Sequence, residues 1–241
     1  MLLTVLGAAF LASIADLSGL FLFWKKGWAK KHSNLLVSFA AGALLAAAFL
    51  ELLPESIEAG GSLSTVLLGI IFFYLIERVI FLYHCHDGKC TIHTFSWVML
   101  IGNTLHDFVD GVIIALAFIV DPGFGLVTAL AVVAHEFPAG IGEFGVLIHG
   151  GFGEMRALFY TVLTILATPL GALTAWLLAS QIEPITGTLL ALAAGGFIYI
   201  AAVDLIPETH QEFDRRRSIM QGALLILGIL VIYAVGKLLG R

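Results

Sequence analysis

The stretch "NTLHDFVDGVIIALAFIV" (residues 103–120) decides how the chain is to be read. From Leu105 onward it is apolar enough for lipid, yet its first turns carry His106, Asp107 and Asp110. A charged side chain at membrane depth costs between about 2.5 and more than 10 kcal/mol, depending on the reference state. A helix that carries three such groups must turn them toward protein or water. The rest of the sequence says what they meet.

The surroundings are those of a membrane protein. Of 241 residues, 60% are hydrophobic and 12% charged, against about 25% charged in an ordinary soluble domain, and the mean hydropathy is +1.03. A helix needs about 20 apolar residues to cross the hydrocarbon. Eight runs of that kind occur, at about 2–24, 34–53, 63–83, 96–120, 125–148, 158–180, 186–206 and 219–239. The connections are short, so the expectation is an all-α integral membrane protein with eight transmembrane helices in a single domain. The first run contains Asp16 and is followed by "KKGWAKK", the reverse of a cleavable signal peptide. The net charge of −5 says little in a chain whose surface mostly faces the lipid bilayer, and no nucleic-acid partner is expected.

The basic residues orient the spans. Lys25, Lys26, Lys30 and Lys31 fall between spans 1 and 2, and Arg78 and Lys89 lie at the junction of spans 3 and 4. Arg156 falls between spans 5 and 6, and Arg215, Arg216 and Arg217 between 7 and 8. All lie on one side, with Lys237 and Arg241 on the other, so the positive-inside rule puts both termini outside the cytoplasm. A span count wrong by one would scatter this pattern. Cys85 and Cys90 then share a cytoplasmic loop and are expected to be reduced thiols.

Spans 2 and 7 end alike. "AAGALLAAAFLELLPES" (residues 40–56) aligns without gaps on "AAGGFIYIAAVDLIPET" (residues 193–209), matching Glu51 with Asp204 and Pro54-Glu55 with Pro207-Glu208. The segments are an odd number of spans apart and so run in opposite directions, as inverted repeats of transporters do. Extending the relation gives a 3+2+3 arrangement: repeat one at about 1–83, a central helix pair at about 96–148 and repeat two at about 158–239. Glu51, at the outer end of span 2, and Asp204, at the inner end of span 7, would mark the two mouths of a pathway. The bland alternative is that both are helix-end residues reaching for water.

Residues three and four apart share a helix face, so Asn103, His106, Asp107 and Asp110 form one stripe on span 4. Span 5 carries His135, Glu136 and Glu143. Imidazoles and carboxylates on facing helices make a mixed nitrogen and oxygen ligand set, suited to zinc and, with less preference, iron, cobalt or manganese. Pro138 lacks an N–H and frees the carbonyl of Ala134, so a kink is expected beside His135. Glu143 approaches the cytoplasmic end of span 5, where hydration alone would explain it. Two motif matches fail. "GIGEFG" (residues 140–145) fits a dinucleotide fingerprint but lies inside a span with no preceding strand, and reads better as small residues permitting close helix approach. "HEFPA" lacks the second histidine of a metalloprotease helix, because Ala139 stands there. The loop "HCHDGKCTIH" packs His84, Cys85, His86, Cys90 and His93 into ten residues, a composition suited to transient metal capture.

With those residues assembled, the chain resembles the ZIP (Zrt/Irt-like) family of divalent-metal transporters, whose motifs "HNxxDG" and "HExPHExGD" have counterparts in "HDFVDG" (residues 106–111) and "HEFPAGIGE" (residues 135–143). The resemblance implies eight helices in a three-two-three arrangement, frequent dimers, and import of zinc, or of iron, manganese or cadmium, through a cell membrane toward the cytosol. No cofactor beyond the transported ion is implied. Carried over residue by residue, one ion would use His106, Asp110 and His135, and a second, in some members, Asp107 and Glu136. Ala139 and Gly140 replace the second His and Glu of the family motif, and Thr168 stands where some bacterial members have a Glu. A single well-formed site is therefore expected, with Asp107 and Glu136 beside it and Glu143 as an exit ligand. Two rival readings remain at this level: an intramembrane zinc-dependent hydrolase and a membrane metal sensor built on the cytoplasmic loop.

Overall fold

The computed structural model describes residues 1–24, 28–84, 93–210 and 214–238, and among them every regular element is helical. Seven helices are long and apolar enough to cross a membrane: α1 (Leu2–Phe21), α2 (Lys31–Glu58), α4 (Thr94–Val120), α5 (Pro122–His149), α6 (Glu154–Leu177), α7 (Ala179–Thr209) and α8 (Arg215–Leu238). Between α2 and α4 lies α3 (Leu63–His84), a 22-residue helix at the place of the third expected span. The helices coincide with the expected runs to within about five residues, except that α7 begins at Ala179, where the run was expected from 186. Several run longer than the roughly 30 Å of hydrocarbon requires at about 1.5 Å per residue, and their ends carry polar residues such as Lys31, Glu58 and Thr209.

Helix ends follow local chemistry. Asp121 opens α5 by accepting the Phe124 N–H at 3.0 Å, and Asp214 opens α8 by accepting the N–H groups of Arg216 and Arg217. Both satisfy donors that the first turn leaves unpaired. Gly60, at φ +81°, takes the left-handed turn that ends α2. Just before it, the Ser56 hydroxyl donates to the carbonyl of Gly187 in α7 at 2.8 Å.

The like-sequenced segments of α2 and α7 share an irregularity. Each widens into one π-helical turn, Ala47–Leu52 in α2 and Ile200–Leu205 in α7, before resuming as α-helix at the Leu-Pro or Ile-Pro step. These turns coincide residue for residue in the gapless alignment of residues 40–56 with 193–209. A proline removes one ladder hydrogen bond and crowds the preceding turn, and an inserted π-turn is a common adjustment, frequently found at functional sites. α1 departs from the α form as well, tightening to a 3₁₀ helix from Ala15. By contrast α5 runs as one helix through Pro138.

Small residues set the packing. α2 lies against α8, α7 against α3, α1 against α5, and α6 against α4, while α4 and α5 pack on each other. A side chain at Gly42 would come 2.0 Å from the carbonyl oxygen of Leu225 in α8, and one at Gly195 would come 2.3 Å from that of Val66 in α3. These two glycines are themselves aligned partners in the repeated segments. The main apolar core lies among α2, α4 and α7, around Val37, Ala48, Val98, Phe197 and Ile200. Large apolar side chains on the outside, such as Leu67 and Phe72 of α3 and Ile226 and Leu230 of α8, remain exposed, as a lipid solvent permits.

Candidate metal centre

At the middle of α4, successive turns direct Asn103, His106, Asp107 and Asp110 inward, each 3% exposed. α5 presents His135, Glu136 and Glu143 toward them, all buried. The charged stripe that opened the sequence reading therefore meets a second stripe on the neighbouring helix.

The contacts define a compact donor group. His135 Nε2 lies 2.9 Å from Asp110 Oδ2 and 3.5 Å from Glu136 Oε1. His106 Nε2 lies 3.7 Å from Asp110 Oδ2 and 3.5 Å from the same Glu136 oxygen. One donor atom from each of His106, Asp110, His135 and Glu136 falls within 4.8 Å of all the others. Donors about 2.0–2.1 Å from a tetrahedral zinc ion stand roughly 3.3 Å apart, and the four measured separations bracket that value. Beside the group, a small cavity holds about 20 Å³ open to the centre of a water molecule, enough for one water by the usual measure. His106, His135, Asn103, Ala139 and Phe197 are among its lining residues.

Electrostatics point the same way. No Lys or Arg pairs with these carboxylates among the described residues; their ion-pair contacts are with His106 and His135. Several acidic groups gathered in a low-dielectric interior repel one another unless protons or a cation balance them. Buried carboxylates with no Lys or Arg partner among the described residues are thus arranged to receive positive charge from outside the chain.

Further sites fall out differently from one another. Glu51, expected at a mouth, is buried, with Oε2 3.9 Å from His135 Nδ1, and so borders the donor group. Glu143 is 1% exposed, and its Oε2 accepts from Asn103 Nδ2 at 2.8 Å. It is held within the helix bundle, not at a hydrated end. Asp204 is half-buried, with Oδ2 lacking a hydrogen-bond partner. Of the loop residues, Cys85, His86 and Cys90 lie outside the described residues. His84 closes α3, and His93 is exposed and precedes α4, its ring 5.2 Å from that of Phe95.

Asp16 was not singled out as a ligand in the sequence, yet the structure brings it here from α1. One oxygen each from Asp16, Asp107 and Glu136 lie within 4.8 Å of one another. The signal available was its position: a lone acidic residue inside an apolar span. The small-residue reading of "GIGEFG" holds, because side chains at Gly140, Gly142 and Gly145 would strike Asp16, Ala40 and Leu36 respectively.

Known proteins resemble this chain in sequence. The model of the ZIP zinc transporter family matches residues 1–93 and 84–236. Zinc transporter ZIP13 of Pongo abelii is 34% identical over 218 residues, covering 83% of this chain and 66% of that protein. ZIP13 of Mus musculus is 29% identical over 245 residues, covering 81% and 68%. Zinc transporter foi of Drosophila melanogaster is 35% identical over 145 residues, covering 60% of this chain and 20% of foi. The chain thus spans about two thirds of the length of the ZIP13 proteins and a fifth of foi.

Proposed function

Because this chain belongs to the ZIP zinc transporter family, we propose that it carries divalent metal ions, zinc foremost, across a cell membrane into the cytoplasm through the centre between α4 and α5. Iron, manganese and cadmium are the further candidate cargoes. The observation that carries the reading is the buried group of His106, Asp110, His135 and Glu136, with its near-tetrahedral donor spacing and no Lys or Arg partner among the described residues.

In this reading α3 is an eighth span, and α1–α3 and α6–α8 are inverted repeats flanking the α4–α5 pair. Three features support it: the matched π-turns, the matched glycines Gly42 and Gly195, and the reciprocal packing of α2 on α8 and α7 on α3. The distribution of Lys and Arg supports termini outside the cytoplasm. An ion entering from outside passes Glu51 to the histidine group. It then moves along α5 toward Asn103 and Glu143, seven residues and about 10 Å beyond Glu136, and leaves past Asp204. Imidazole and carboxylate ligands bind the dehydrated ion and release it when protons compete for them.

Four protein donors would fill a tetrahedral shell, whereas a hydrolytic zinc keeps one position open for water. That favours carriage over intramembrane hydrolysis. The test is reconstitution of the purified chain in liposomes enclosing a zinc-sensitive dye. Zinc entering against protein-free controls is the expected result. Stoichiometric zinc retained by the protein with no flux would sink the proposal.

A further inference from the structure

α1 has no task in the histidine group, yet it delivers a carboxylate to the centre of the molecule. Asp16 is 2% exposed, Asp107 3% and Glu136 2%; none of the four carboxylate oxygens of Asp16 and Asp107 has a hydrogen-bond partner, while Glu136 Oε1 lies 3.5 Å from the Nε2 atoms of His106 and His135. Orphaned buried oxygens are rare in folded proteins, and here three residues from three helices converge. The family resemblance implies a second ion on Asp107 and Glu136 in some members; we propose that in this chain Asp16 supplies from α1 the ligand missing from α5, so that Asp16, Asp107 and Glu136 hold that ion beside the histidine group, with Glu136 shared between the two. The proposal rests on the transport reading above and adds to it a ligand from α1.

Gly140 explains how α1 reaches the centre. At this position the family motif has a Glu, and the chain has no side chain at all. An added Cβ would stand 2.0 Å from the Asp16 carbonyl oxygen and 2.7 Å from Asp16 Oδ1. The volume in which a residue-140 side chain would begin is therefore filled by Asp16 itself, and the two are mutually exclusive. Gly19 repeats the device, since its Cβ would lie 2.8 Å from the Gly140 carbonyl. The Ser18 hydroxyl donates to the carbonyl of Phe137 and fixes the register of the 3₁₀ segment against α5. Removing a side chain from α5 and tightening α1 together carry one carboxylate from one helix to the other.

The chemistry of the two groups differs. Two imidazoles with two carboxylates favour zinc, whereas an all-oxygen set suits harder ions such as Mn²⁺. The second site should therefore accept Mn²⁺ while zinc holds the first.

The experiment uses the full chain in neutral detergent, loaded with one equivalent of Zn²⁺ and titrated with Mn²⁺, whose free six-line paramagnetic resonance signal reports what remains unbound. Wild type should remove one Mn²⁺ per chain, Asp16→Asn none while keeping its Zn²⁺, and Asp16→Glu should restore Mn²⁺ binding. The proposal is overturned if Asp16→Asn titrates like wild type, or if wild type takes up no Mn²⁺. It is equally overturned if both variants lose Zn²⁺ together with Mn²⁺, the pattern of a packing residue. Failure of the transport reading would appear separately, as absent zinc flux in liposomes with Mn²⁺ binding intact.

Discussion

Glu51 and Asp204 stand at aligned positions in two segments of like sequence, each inside the same π-turn, yet their surroundings differ. Glu51 is closed in, with His135 3.9 Å away and Gly236 of α8 across from it. Asp204 is half-buried and has an oxygen without a partner; nearby, Tyr199 donates to Glu77 of α3. Local sequence sets the shape of the turn, and tertiary packing sets its access. Cavities of about 470 and 320 Å³ lie at the basic end of the bundle, beside Ser38, Thr209 and Gln221 and beside Lys31 and Arg217. In the proposed cycle this arrangement is the one with its outer side closed and its inner side the more open.

Substitutions at the paired positions should break the comparison unequally. Glu51→Lys places an ammonium beside His135 and should reduce zinc flux into liposomes to background, whereas Asp204→Lys should leave a measurable rate. The neutral changes are milder. Glu51→Gln removes a charged neighbour of a buried site, worth about 1.5–3 kcal/mol, and should lower flux about tenfold or more. Asp204→Asn, in a more hydrated setting, should lower it about two- to fivefold. Equal losses in the two variants would refute the asymmetry.

Where the halves match, they should fail alike. Gly42→Leu and Gly195→Leu each drive a side chain into a neighbouring carbonyl, and both should destabilise by at least about 1–3 kcal/mol, read as a lowered melting temperature in detergent. The smallest effect is expected at the basic end of the bundle. His149 Nε2 contacts Glu208 Oε1 at 3.0 Å, with the side chains 14% and 19% exposed. His149 Nδ1 also lies 3.2 Å from Ser33 Oγ, and His149→Ala, which removes both contacts, should cost about 1–2 kcal/mol in the same measurement.

Much of this was legible in the sequence because its physics is local. Apolar runs and basic loops marked the helices, and the spacing of His106, Asp107 and Asp110 fixed a common face before any partner was known. The Leu-Pro and Ile-Pro steps entered only as matches in the repeat, and the shared π-turn before them appeared in the structure alone. Pro138, where a kink beside His135 was expected, lies inside one continuous helix. Asp16 and Glu51 were not legible as neighbours of the site. Their places depend on how α1 and α2 pack against α5, across about a hundred residues of chain, and Gly140 read as a lost ligand until Asp16 was seen over it.

The central claim is that the ion crosses between α4 and α5 on the histidine group. Initial zinc flux into liposomes, at equal reconstituted protein, compares wild type with His106→Ala most directly. The account predicts a fall to the protein-free background, and a His106→Ala rate equal to wild type would contradict it.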